Sequence, residues 1–481
     1  MPSTTIRFAT VTAVSVVIAA ANLFMAPSSL EAQDTACIEC HRQESPGIVS
    51  QWESSKHAEQ DVTCIACHTA EKQDADGFEH YGELISVIVS PRDCSICHET
   101  EFNQQKGSHH AKAADILGSL DNLLGEVVGG PPAVVVGCRQ CHGSEVAVDE
   151  SGRPTADTWP NTGMGRINPD GSKGSCSACH SRHSFSVEQA RQPEACGKCH
   201  LGPDHPQIEV WNESKHGILY HANREKMNLD RDEWVAGRDY FTGPTCSSCH
   251  MGAGGSEQVT HDVGQRISWT LRPPVSDKLN MVIYEDYSKE DLLGEAPELP
   301  DVGAMHKTKS GENKKVEAVL TWQDRRDKMA QLCTQCHAEP FVESFYTQYD
   351  NLVELYNEKF AKPCRAIIQE LKDEGIITKA DFDDPIEWTW WELWHHEGRR
   401  ARHGASMMGP DYAWWHGMYE VAKHFYIKFI PELKEAAGEQ KAEELLEKYV
   451  YSQDGHLWHR DGISPELRMR IQNFYQKRYK Q

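Results

Sequence analysis

The sequence predicts a mainly α-helical protein whose core is filled largely by flat apolar cofactors, with a region of long helices at its C-terminal end. Three observations predict it. The motif C-x-x-C-H occurs eight times and uses sixteen of the seventeen cysteines. Between motifs the chain is short and irregular, broken at Gly129-Gly130-Pro131-Pro132 and from Ser151 to Gly174. Beyond residue 337 no further motif occurs, and apolar residues recur there at helical spacing. A chain of 481 residues exceeds what one ordinary apolar core fills, about 250–300 residues. With 39% hydrophobic and 25% charged residues it is neither disordered nor a multi-pass membrane protein. Lys and Arg number 49 against 72 Asp and Glu, and the net charge of −23 repels a polyanion, so no nucleic-acid partner is expected.

Taken in order, residues 1–32 read as a signal peptide. Arg7 precedes an apolar run from Phe8 to Met25, followed by the small and polar stretch Ala26 to Gln33. Cleavage near Ala32 would start the mature chain close to Gln33 or Asp34. The run is near the lower limit for spanning a bilayer, and no second one of that length follows. The expectation is an extracytoplasmic protein, in the periplasm or an equivalent lumenal compartment, without an integral membrane anchor after cleavage.

Residues 33–340 read as an octahaem domain. The motifs are Cys37-Cys40-His41, Cys64-Cys67-His68, Cys94-Cys97-His98, Cys138-Cys141-His142, Cys176-Cys179-His180, Cys196-Cys199-His200, Cys246-Cys249-His250 and Cys333-Cys336-His337. Two thiols one helical turn apart add to the two vinyl groups of one haem, and the adjacent histidine reaches its iron. A zinc knuckle, a redox dithiol or a disulfide scaffold would suit one such motif. Eight histidine-terminated copies behind an export signal select c-type haem. Short helices can then pack against porphyrin instead of Leu and Ile, which suits the modest apolar content. Cys364 is left over and is expected to be a buried apolar thiol.

A haem that only carries electrons needs a second axial ligand, and seventeen of the 25 histidines lie outside the motifs. Trp52 to His57 and Trp211 to His216 share the pattern W-x-x-S-K-H, each ending sixteen residues after a motif histidine. His80, His109 and His261 follow motif histidines by twelve, eleven and eleven residues. With His183 and His403, these are the distal-ligand candidates, His110 competing with His109 for one role.

Residues 341–481 form the C-terminal helical region. Phe341, Phe345, Tyr349, Leu352, Leu355, Tyr356 and Phe360 fall at three- and four-residue steps, and Pro363 should kink or end that helix. Further helical patterns run from Met418 to Phe429 and, highly charged, from Lys434 to Tyr449. Ahead of both, the aromatic and histidine-rich stretch Trp388 to Arg400 reads as packing.

Eight such motifs before a haem-free helical region resemble the octahaem hydroxylamine oxidoreductase family. Cys196 to His205 (C-x-x-C-H-L-G-P-D-H), Trp211 to Gly217 (W-N-E-S-K-H-G) and Thr260-His261-Asp262 strengthen the likeness. The resemblance implies that the fourth haem, on Cys138 and Cys141 with His142 as proximal ligand, keeps an open distal position. The other seven would be bis-histidine carriers. It further implies Asp204 and His205 as the distal acid pair, with the histidine handing protons to a bound nitrogen oxide. A homotrimer or larger assembly and a redox-partner cytochrome c belong to the same expectation.

Two departures bear on reaction direction. Oxidising members cross-link a tyrosine to the catalytic haem, and here either Met408 or Tyr412 falls at that position. The distal tyrosine expected shortly after Trp269 is replaced by Thr270-Leu271-Arg272, and an arginine suits an anionic substrate. Both resemble the branch that lacks the cross-link and runs reductively. The expected function is reduction of nitrite to nitric oxide, hydroxylamine or ammonium. The alternatives are a hydroxylamine or hydrazine oxidoreductase, or a non-catalytic electron-transfer cytochrome.

Overall fold

In the computed structural model, residues 29–118 and 125–478 are described, and the apolar run Phe8–Met25 lies outside them. No helix among the described residues is long and apolar enough to cross a membrane. The chain divides into two units, Met1–Ser50 and Gln51–Gln481. In the first, the helix Ser29–Glu44 carries the first attachment motif, Cys37 to His41.

In the second unit the motifs close into single turns, as their spacing requires. Cys64–His68, Cys138–His142 and Cys246–His250 are five-residue helices. At the third, fifth, sixth and eighth motifs the histidine amide donates to the carbonyl of the first cysteine, at 2.9–3.0 Å. That bond spans four residues and places both thiols and the imidazole on one turn. Side-chain caps start several of the turns: Ser90 before Pro91–Ser95 and Thr245 before Cys246–His250, each in a reciprocal capping box. Thr321 does the same for Trp322–Cys333, the helix leading into the eighth motif.

Irregular chain holds the fourth turn. Met164 and Gly165 donate to the carbonyls of Cys141 and His142 at 2.9 and 3.0 Å. A Cβ on Gly163 would lie 2.0 Å from the Gly143 nitrogen, and Gly143 itself adopts φ of +80°. Glycine at both places lets the two backbones touch.

Strands are few. A hairpin pairs β1 (Phe78–His80) with β2 (Glu83–Ile85). An antiparallel four-stranded sheet lies between the seventh and eighth motifs: β3 (Leu279–Tyr284), β4 (Lys289–Leu293), β5 (Met305–Lys307) and β6 (Asn313–Leu320), in the order β4-β3-β6-β5. Val282, Tyr284 and Val316 form its small apolar cluster.

The largest side-chain core sits in the C-terminal helices, where Ile367, Leu371, Val421, Phe425, Phe429, Leu433 and Leu446 are buried together. Each fully buried side chain of this kind is worth about 1.5–3 kcal/mol before entropy is counted. Cys364 lies inside this cluster, 0% exposed, as an apolar thiol. Pro363 does not end the helical path. Glu339–Tyr356 widens into a π-helical turn, Asn357–Ala361, and continues as Lys362–Asp373, so the proline sits at the start of a new segment where its missing N–H is tolerated. The charged helix Ile430–Leu446 is broken at Gly438, whose φ is +77°.

Candidate haem and active site

The proximal histidines are oriented by backbone. Nδ1 of His68 lies 2.7 Å from the Ser86 carbonyl, Nδ1 of His142 3.1 Å from that of Ala113, and Nδ1 of His250 3.2 Å from that of Val263. An Nδ1–H donated to a carbonyl leaves the Nε2 lone pair for a metal.

The donor set fits iron. Two metal–imidazole bonds of about 2.0–2.1 Å plus two ring radii of about 1.1–1.2 Å put the centroids of a bis-histidine pair about 6–6.5 Å apart. His57 stands 6.2 Å from His98, His183 6.3 Å from His68, His261 6.4 Å from His180, and His216 6.1 Å from His337. Four sequence-predicted ligands are thus brought opposite motif histidines.

His109 and His403 fall elsewhere. His109 is not turned toward a motif histidine: its Nε2 meets Asp291 at 2.9 Å, half exposed. The neighbouring side chain, His110, is the buried one, 6.1 Å from His200 and within electrostatic reach of His250. Adjacent residues on a tight loop point apart, so only one of the two can reach inward. His80 ends β1 with its ring edge-on to Tyr81 at 4.8 Å. His403 is buried in the helix Arg399–Ser406, its Nε2 3.4 Å from Gln207 Nε2, and burial, reinforced by Arg402, pushes its pKa down to about 3.

Cysteines of different motifs lie close together. Cys94 neighbours Cys176, Cys141 neighbours Cys199, and Cys196 neighbours Cys246. Cys67 lies near Cys94, Cys179 near Cys196, and Cys249 near Cys333. The sixth turn, Cys196 to His200, therefore adjoins the fourth, fifth and seventh.

Beside the fourth turn lies the acid pair. His205 Nδ1 and Asp204 Oδ1 are 2.7 Å apart. Arg399 Nη1 reaches the other carboxylate oxygen, Oδ2, at 3.2 Å, with His395 Nε2 at 3.9 Å. Burial alone would raise the Asp204 pKa, but the His205 hydrogen bond and the His395 and Arg399 charges hold it well below the ordinary carboxylate range. His142 feels the charges of His205, Asp204 and Arg272. Among the described residues no ring contact places a histidine opposite His142; the same is true of His250. His205 also stands 6.2 Å from His200.

His395 and Arg399 come from the stretch read as packing. Residues 395, 399 and 403 repeat every four positions, and this H-x-x-x-R-x-x-x-H stripe was the available signal. Tyr412 is half-buried beside Glu213, whose Oε1 accepts from its amide at 3.3 Å.

Residues 169–292 and 309–385 match the model "Seven times multi-haem cytochrome CxxCH", 89–201 match "Cytochrome c3", and 10–69 match "Cytochrome c554 and c-prime". A "Probable nitrite reductase-hydroxylamine oxidoreductase fusion protein" of Kuenenia stuttgartiensis is 28% identical over 371 residues, 71% of this chain. The chain is a multihaem c-type cytochrome, similar to hydroxylamine oxidoreductase-like proteins. This multihaem cytochrome spans only 38% of that relative's length. A solved "Hypothetical multiheme protein" covers 84% of the cytochrome and is itself covered to 96%, with a TM-score of 0.68 and 27% identity. A Kuenenia stuttgartiensis "reducing HAO-like protein complex" shares the fold at TM-score 0.56 and 18% identity, with 87% of each chain covered. The cytochrome carries covalently bound c-type haems.

Proposed function

We propose that this cytochrome reduces nitrite at the haem attached through Cys138 and Cys141, fed by the haems of the other seven motifs. The observation that carries the reading is the Asp204–His205 pair beside His142, a motif histidine that also lies within reach of the Arg272 charge.

A haem held by Cys138, Cys141 and His142 would supply electrons and an iron to which the anion could bind. The chain supplies the rest. Arg272 places positive charge where an anion must arrive. With its Nδ1 2.7 Å from the Asp204 carboxylate, His205 has Nε2 left for the substrate. Reduction of nitrite to nitric oxide takes one electron and two protons and releases water. His205 delivers protons to the departing oxygen, and the carboxylate stabilises the imidazolium that donates them. Further electrons and protons would carry the product to hydroxylamine or ammonium.

The proposal extends to an extracytoplasmic location, a donor cytochrome with a basic docking patch matching the −23 charge, and a homotrimer or larger assembly. A second reading, a pure electron carrier, is favoured by one observation: the 6.2 Å between His205 and His200 would also suit two ligands of one iron. Visible spectra and product analysis of the reduced protein with and without nitrite separate them. Nitrite-dependent reoxidation with nitric oxide, hydroxylamine or ammonium formed supports the reductase. Absence of any high-spin haem and of nitric oxide or cyanide binding makes it a carrier. A haem peptide of Cys138–Cys141 joined to the Tyr412 peptide would instead make it a hydroxylamine or hydrazine oxidoreductase.

A further inference from the structure

The carboxylate of Asp204 is gripped from the side away from His205 by a residue that the acid pair alone would not suggest. Arg399 bridges the Arg272 loop and the acid pair, Nε donating to the Arg272 carbonyl at 2.7 Å and Nη1 lying 3.2 Å from Asp204 Oδ2. The plane of the group rests on Trp394, with its carbon 5.0 Å from the ring centroid. Beside it His395 is stacked on Trp391, centroids 4.3 Å apart and planes 15° from parallel, and faces the same carboxylate oxygen.

A planar fork with one prong on a backbone carbonyl and another on a carboxylate fixes direction as well as distance. With Oδ2 held from the C-terminal helices, Oδ1 remains for His205 Nδ1. His205 Nδ1 then faces Oδ1 at 2.7 Å, a contact that favours the ring orientation leaving Nε2 for the substrate.

We infer that Arg399 is a positioning residue for proton delivery, fixing Asp204 so that His205 is held in its donating orientation, and that it ties the Arg272 loop to the same geometry. This rests on the role proposed above for Asp204 and His205. The long helical region beyond the last haem motif thereby contributes to the candidate active site of its own chain.

The test compares wild-type cytochrome with Arg399→Gln, Arg399→Lys, Asp204→Asn and the double variant Arg399→Gln/Asp204→Asn, at equal haem content. Arg399→Gln and Asp204→Asn should each lower kcat for nitrite by about 10- to 100-fold, as displaced catalytic groups do, while electron uptake from a strong reductant is unchanged. The double variant should lose no more than Asp204→Asn, because the arginine acts through the carboxylate. Arg399→Lys keeps the charge but cannot reach both partners, so it should fall between wild type and Arg399→Gln; it also carries the test if the glutamine variant loses haem. Optical titration of the oxidised protein with nitrite gives a readout independent of turnover, and the apparent Kd should change far less than kcat. Losses that multiply in the double variant, or arginine variants indistinguishable from wild type, overturn the inference. Wild-type protein that neither binds nor reduces nitrite overturns the functional reading, and the inference with it.

Discussion

His183 stands opposite His68 with ring centroids 6.3 Å apart, although His68 ends the second motif and His183 follows the fifth. Removing the non-motif partner should open one coordination position without disturbing covalent attachment. For His183→Ala, the expected outcome is one low-spin haem signal replaced by one high-spin signal in the electron paramagnetic resonance spectrum, with an unchanged intact mass apart from the substitution. His216→Ala should do the same at the haem of His337. An unchanged spectrum in either variant rejects that pairing.

His205→Ala should lower nitrite turnover by about 10²–10⁴-fold, the usual contribution of a positioned general acid. Haem content and the rate of reduction by an external donor should stay at wild-type values. If the variant instead loses a low-spin signal, His205 is an iron ligand of the sixth motif.

Arg402 is fully buried and satisfies four oxygens: the Gly398 carbonyl at 2.8 Å, that of Pro273 at 3.0 Å, that of Trp394 at 3.3 Å and Ser276 Oγ at 2.6 Å. It pins the loop after Arg272 to the C-terminal helices. Arg402→Met leaves these acceptors without a donor and should cost about 2–5 kcal/mol, measured as a fall in the unfolding midpoint. Arg402→Lys should recover only a small part.

Stability should fall in mild acid through His456. Burial first, then the charge of Lys359, lowers its pKa from 6.5 to about 4; the Nδ1 lies 2.7 Å from the Tyr426 hydroxyl among Phe360 and Phe425. Below pH 6.5 the unfolded chain takes up a proton that the folded chain refuses until about pH 4, so stability is lost across that window as pH falls. The loss is on the order of 2 kcal/mol. Thermal melting at pH 7 and pH 5 should show it, and His456→Gln should flatten the difference.

Cys364→Ala should cost about 1 kcal/mol and Cys364→Ser about 1–3 kcal/mol, the latter because a hydroxyl would be buried among apolar side chains. Neither variant should alter the number of haems found by intact mass, since this thiol lies outside every motif. A change in haem number would place it among the attachment residues.

Attachment turns were legible because covalent chemistry fixes both spacing and residue type. His57 and His216, which end the repeated W-x-x-S-K-H pattern, both stand opposite motif histidines, whereas of the two histidines at the eleven-residue offset only His261 does. His110 was not separable from His109, since the choice depends on which way a loop residue faces and composition is silent on that. The four-stranded sheet went unread because β3 and β6 sit in a stretch whose irregularity had been assigned to haem packing. His395 and Arg399 were visible as a four-residue stripe, yet aromatic neighbours made that stripe look like core; only the fold brings it to Asp204.

The crowding of Cys196 to His200 against three other turns has a consequence for damage tolerance. If current follows these thiol contacts, the two flanks of the chain drain through one junction before reaching Cys138 and Cys141. A lesion at the second or eighth turn then shortens a single arm, whereas a lesion at Cys196 or Cys199 isolates the reacting end from both.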